Sequence, residues 1–120
     1  MITEIVLNEL VHGLNGNDGL MREHMRIAKV MAKKQRYQVL IMEQTRNRHK
    51  GKVEITYIRL TTRLMDWDNH CASFKHLGDA LVKAGVITDD KPSVVISFIP
   101  VQRKVKTRKQ HRTIIRIEDA

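Results

Sequence analysis

Asp66 and Asp68 stand two residues apart around Trp67, at the head of the stretch RLMDWDNHCASFKHLGDALVKAGVITDDKPS. On an extended chain alternate side chains share a face, so both carboxylates would point one way and Trp67 the other. Two carboxylates on one face repel, and either a proton or a cation must offset the repulsion. Mg²⁺ suits such a pair, because it takes hard oxygen ligands and completes its shell with water and substrate phosphate. Asp89 and Asp90 follow beyond a predicted helix. They reach the same place only if the loop after Gly85 folds back. The competing structural reading makes Asp66 and Asp68 a solvated loop, and Asp89–Asp90 a turn after a helix, where Asp is common.

The surroundings of these residues favour the metal. The chain has 22 Lys+Arg against 13 Asp+Glu, a net charge of +9, yet five of its acids (Asp66, Asp68, Asp79, Asp89, Asp90) crowd between Arg63 and Ser93. A basic excess points to polyanions, above all nucleic acid. An acidic cluster inside a basic protein is what a nuclease needs: cations collect the phosphate backbone, and carboxylates hold a metal at the bond to be cut. The cations form three segments, KKQR, RNRHKGK and QRKVKTRKQHR. In the last, Arg103, Lys104, Lys106, Arg108, Lys109 and Arg112 are the candidates for DNA contact; the alternative is a solvated surface. One Trp, two Tyr and two Phe are few for a reader that stacks single-stranded bases, so duplex backbone contact is expected.

The elements that must position these groups follow from periodicity. A short β-branched segment predicts a strand near 3–9, and HGLNGNDGL after it is loop chemistry. MREHMRIAKVMAKKQRYQVLIMEQTRN, without Pro or Gly, predicts a helix from the mid-20s to about 46, its methionines serving as core filler. Val53, Ile55 and Tyr57 alternate with Lys52, Glu54 and Thr56, which marks a half-buried strand over 52–61. A second helix is expected over 69–84, with Phe74, Leu77, Leu81 and Ala84 as its apolar stripe and Gly85 as its stop. Strands are expected near 93–99 and 112–118, joined by a long basic connection. The order β-α-β-α-β-β predicts an α+β, two-layer domain over 1–120: a small mixed sheet packed against two helices.

Other residues are weaker candidates. Cys71 with His70 and His76 falls short of a zinc pattern, and His70 is expected as a partly exposed helix residue. Trp67 is expected as a core anchor behind the carboxylates. His12, His24, His49 and His111 are scattered. No apolar run approaches a membrane span, MITEIVLNEL does not read as a signal peptide, and a lone cysteine fits a reducing cytoplasm.

The stretch DWDNHCASFKHLGDALVKAGVITDDKPSV resembles the RusA family of Holliday junction resolvases. The family signature is D-x-D-N and a lysine, then a helix close to DALxKAG, a hydrophobic pair and DD. Asp66, Asp68 and Asn69 match its opening, Lys75 stands four residues before Asp79, DALVKAG occupies 79–85, and Asp89–Asp90 close it. FIPVQRKVKTRKQHRTIIRIE is similar, more loosely, to the family's basic terminal hairpin. The likeness covers the C-terminal half well and the N-terminal half by layout. Two departures stand out: the Asn69–Asp79 spacing is longer by about one helical turn, with HCAS absorbing the extra residues, and the N-terminal loop lacks Pro and aromatics.

The resemblance implies a Mg²⁺-dependent endodeoxyribonuclease that resolves four-way junctions by paired symmetric nicks in DNA recombination and repair, acting as a homodimer. Asp66, Asp68 and Asp90 would be metal ligands. Lys75 would stabilise charge developing on the phosphate, its structural alternative being an i,i+4 pair with Asp79. Asp89 would be a further ligand or a turn former, and Asp79 would sit on the helix away from the ligands. The rival readings are a nuclease of the same chemistry for other branched DNA, and a non-catalytic nucleic-acid-binding protein with structural aspartates.

Overall fold

The computed structural model of the chain describes residues 1–11 and 23–120. The predicted loop over 12–20 lies outside the described residues, as do His12 and the side chain of His24. The elements run β1 (Ile2–Leu7), α1 (Glu23–Gln44), β2 (Val53–Thr61), α2 (Trp67–Ser73), α3 (Lys75–Lys83), β3 (Val95–Lys104), a 3₁₀ turn (Arg108–Gln110) and β4 (Arg112–Asp119). The four strands form one mixed sheet in the order β1-β4-β2-β3. β4 pairs antiparallel with both β1 and β2, whereas β2 and β3 are parallel, joined by the α2–α3 crossover. The expected α+β architecture is present.

Period-two burial builds the core. β1 turns Thr3, Ile5 and Leu7 inward, and β2 turns Val53, Ile55 and Tyr57 inward. Ile115 and Ile117 of β4 complete the inner face of the sheet, and Tyr37, Ile41, Leu77 and Leu81 cover it from the helices. Tyr57 is the pivot. Fully buried, it hydrogen-bonds Ser73 (Oη to Oγ, 2.6 Å) and stacks on His70 with centroids 4.7 Å apart. Phe74 and Phe98 close around the same ring.

Burial pushes the Tyr57 phenol up to about 12, against the opposing Ser73 hydrogen bond. The fold therefore holds this proton more tightly than the unfolded chain does. Its contribution is complete below pH 10 and is lost as pH rises from 10 towards about 12. Tyr57→Phe should lack that component, so the stability gap between wild type and variant, measured by urea unfolding, should shrink across this window.

Several expectations need correction. The second helix is two: at Phe74 the chain shortens its bonding, with the Phe74 amide on the Cys71 carbonyl (3.2 Å), and α3 starts afresh at Lys75. HCAS forms the second half of α2. β3 and β4 are no hairpin, because β2 lies between β3 and β4. β3 also runs on through Pro100 to Lys104, which an edge strand tolerates because one side of it needs no ladder donor. The α1 methionines are not core filler: Met25, Met31 and Met42 are more than half exposed, while Tyr37 and Ile41 are the ones buried among its described side chains. His49 is no bystander. It is buried and bridges Thr3 on β1 to Asp119 on β4 (both 2.7 Å).

Candidate active site

The two halves of the acidic cluster come from either end of the α2–α3 crossover. After β2 the chain is braced by the nearly buried Gln102 of β3. Its Oε1 accepts the Met65 amide (3.0 Å) and its Nε2 donates to the Met65 carbonyl (2.9 Å). That brace delivers Asp66 to the N-cap of α2 and Asp68 to its first turn. Helix, not strand, begins at Trp67, so the extended geometry that would align both carboxylates does not apply; residues two apart on a helix do not face each other. Both aspartates are exposed. Carboxylates are at home beside the positive end of a helix, but Asp66 makes no side-chain cap bond, so capping does not account for it.

At the far end, α3 stops in a Schellman motif. The Val86 amide bonds Leu81 O, the Gly85 amide bonds Val82 O (both 3.0 Å), and Gly85 takes φ 79°, which glycine alone adopts cheaply. The turn sends the chain back, so that Asp90 joins Lys75, Cys71 and Ala72 around a cavity of about 540 Å³ floored by Ile55, Phe74 and Phe98. Asp68 lies one turn before Cys71 and Ala72 on α2, on the helix side that they present to this cavity. The structure thus brings Asp90 and Lys75 together and sets Asp68 a helical turn away. Among the described residues no three His, Cys, Asp or Glu side chains form a closed metal-binding group.

Asp79 is not remote, as expected, but central to this end of the site. Lys34 Nζ lies 2.8 Å from one of its oxygens and Lys75 Nζ 3.6 Å from the other. Burial raises the Asp79 pKa. The hydrogen bond and charge of Lys34 and the charge of Lys75 outweigh that and hold it below the usual carboxylate range. The i,i+4 pair of Lys75 with Asp79 is therefore formed, while Lys75 stays exposed and lines the cavity. Asp89 has the geometry of a turn former: its carboxylate accepts the Asp90 amide (2.7 Å), which with Lys91 keeps its pKa low.

His70 and Trp67 exchange their expected places. His70 is fully buried against Tyr57, whereas Trp67 is 57% exposed and meets His70 edge-on. Burial, then the charge of Arg59, lower the His70 pKa and favour the neutral ring. Of the basic candidates, Arg103 and Lys104 extend along the end of β3, Lys106 follows it, and Arg108 and Lys109 sit on the 3₁₀ turn, all exposed. Arg112 is partly committed, donating to the Lys109 and His111 carbonyls (2.9 and 2.7 Å). Sequence reasoning passed over Gln102 and Arg59. Arg59 carried a signal: it continues the inward register of Val53, Ile55 and Tyr57 with a charged residue. A scan against models of protein families finds no match, and a search of curated proteins finds none either.

Proposed function

We propose that the chain is a Mg²⁺-dependent endodeoxyribonuclease of RusA type, cutting four-way DNA junctions as a homodimer. The observation that carries this reading is the pair Asp66 and Asp68, exposed and without an ion pair among the described residues, on a chain whose net charge is +9. All three candidate ligands, Asp66, Asp68 and Asp90, offer hard oxygens, and Mg²⁺ needs only one or two carboxylates beside water and phosphate, so a closed protein cage is not required. Asp66, Asp68 and Asp90 would hold the Mg²⁺, whose chemistry would be the activation of water at neutral pH and positive charge beside the phosphate. Lys75, tethered by Asp79, would hold a second positive charge where the phosphate gains negative charge. The exposed cations from Arg103 to Lys109 would track the duplex backbone.

The homodimer follows from the substrate, whose two-fold symmetry calls for two matched cuts from two copies of a small domain. Met25, Ile27, Met31, Val39 and Met42 of α1, all exposed, are the surface such a dimer would cover. Light scattering should report twice the monomer mass, at least with junction DNA present; a monomer under both conditions removes the dimer.

A gel comparing labelled junction, flap and linear duplex, with Mg²⁺ and with chelator, tests the activity. Junction-selective, Mg²⁺-dependent nicking supports the reading. Equal cutting of all three makes the protein a less selective nuclease, and binding without cutting makes it a non-catalytic one. Affinity supplies a separate expectation. Log K for duplex should fall by about 0.9 per phosphate neutralised for each unit of log salt. Replacing Lys106, Arg108 and Lys109 by Gln should flatten that slope by up to about 3. An unchanged slope in fluorescence anisotropy would take these residues off the DNA.

A further inference from the structure

We propose that a second cavity, at the end of β2 and beside α1, is a phosphate-binding site anchored by Arg59. The cavity has a volume of about 670 Å³, within the range of ligand pockets, roughly 300–1,000 Å³. It opens between the end of β1, α1, and the segment where β2 ends. Lys33, Arg36, Arg59, Arg63, Arg108 and His111 line it; the one carboxylate among the described lining residues, Glu9, is ion-paired with Arg36.

Arg59 separates this place from an ordinary basic surface. It is 3% exposed, and its Nε and Nη1 are buried with no hydrogen-bond partner among the described residues. Its register partner on β4, Thr113, cannot help, because the Thr113 hydroxyl donates to the Glu9 carbonyl (2.7 Å) and accepts the Val11 amide (3.3 Å). A guanidinium does not shed its proton in a protein, so burial leaves it charged. A buried charge without a partner is costly, and such groups are paired when the protein functions. The missing partner is an anion entering the cavity.

Phosphate fits the set of donors better than a carboxylate does. Five cationic side chains converge from four segments of the chain, and a tetrahedral group with several charged oxygens can meet more than one guanidinium at once. The phosphate could be free, terminal on a strand, or internal to a duplex; the chemistry of recognition is shared. The site stands whether or not the carboxylates cut DNA.

The test follows the melting temperature of wild type and Arg59→Met as inorganic phosphate replaces chloride at constant ionic strength. Phosphate should raise the wild-type value saturably, as mass action on the folded state requires, and should do nothing for Arg59→Met beyond what chloride does. Equal responses overturn the site, as does the absence of any wild-type response. Should Arg59→Met fail to fold, the double variant Arg63→Gln, Arg108→Gln takes its place, since both side chains are exposed. It should weaken phosphate binding about tenfold or more, the loss of at least one charge-assisted hydrogen bond; an unchanged affinity overturns the proposal. A short duplex with and without 5′-phosphates identifies the source. Weakened binding of both duplexes by Arg59→Met assigns an internal phosphate, weakened binding of the phosphorylated one alone assigns a terminal phosphate, and no change in either, with the inorganic response still lost, assigns free phosphate. Asp66→Asn should keep the wild-type phosphate response even as it loses cleavage, which separates failure of this site from failure of the nuclease reading.

Discussion

Asp66→Asn, Asp68→Asn and Asp90→Asn should each remove junction cleavage, by about a thousandfold, while leaving the fold intact. Each change keeps the shape of the side chain and exchanges a charged oxygen ligand for a neutral one. A metal at a phosphoryl centre supplies several kcal/mol, and each ~1.4 kcal/mol is tenfold in rate. Asp66 and Asp68 are exposed, Asp66 makes no cap bond, and neither forms an ion pair among the described residues, so their replacement should leave the fold in place. Binding of junction DNA in chelator should be preserved or tightened, because each substitution removes a negative charge facing the phosphates. Glu54→Gln, an exposed acid on β2, is the control and should cut normally. Asp79→Asn does not serve as a control, because Asp79 bonds Lys34 and pairs with Lys75. A wild-type cleavage rate for Asp66→Asn, measured in single turnover with Mg²⁺, would end the assignment of the cluster.

Tyr57→Ala should be the most damaging single change to stability, costing about 3–5 kcal/mol where a domain of this size has about 5–15 in total. The ring is fully buried and touches His70, Phe74 and Phe98, and its hydroxyl holds Ser73 at the end of α2. Its removal opens a cavity and unfastens the helix that carries Asp68. Urea denaturation should show a fall in midpoint of this size, with Tyr57→Phe losing only the hydrogen bond, about 1 kcal/mol. If Tyr57→Ala were as stable as Tyr57→Phe, the packing around this ring would not be what attaches α2 to the sheet.

What the sequence disclosed depended on how local the cause was. Alternation located β2, and the Gly85 stop followed from a conformation that only glycine takes easily. Tertiary choices were hidden. Nothing in VISFIPVQRK says that β3 is an edge strand, which is what admits Pro100, and nothing in FIPVQRKVKTRKQHRTIIRIE shows that β2 separates its two strands. The break at Phe74 depends on aromatic packing against Tyr57 and Phe98, so it is invisible to helical periodicity. In the site, residue types were readable and geometry was not. Asp66 and Asp68 were found, but the start of α2 at Trp67 changed their relation, and the exchange of His70 for Trp67 followed from it. Arg59 could have been found by carrying the inward register of β2 two residues further.

The position of β4 has a consequence for how the protein comes to be made. The last strand in the chain is an inner strand of the sheet, and it pairs with residues 2–7 as well as with 53–60. During synthesis β1 therefore waits for a partner more than a hundred residues away, and β2 presents an open edge until Arg112–Asp119 leaves the ribosome. Contacts of such separation slow folding, and unpaired strand edges are where nascent chains associate wrongly. Helix α1 and the β2–α2–α3–β3 unit, which is local, are the parts able to form early, so the hydrogen bonds of β1 should be the last to gain protection in pulse-labelled hydrogen exchange during refolding.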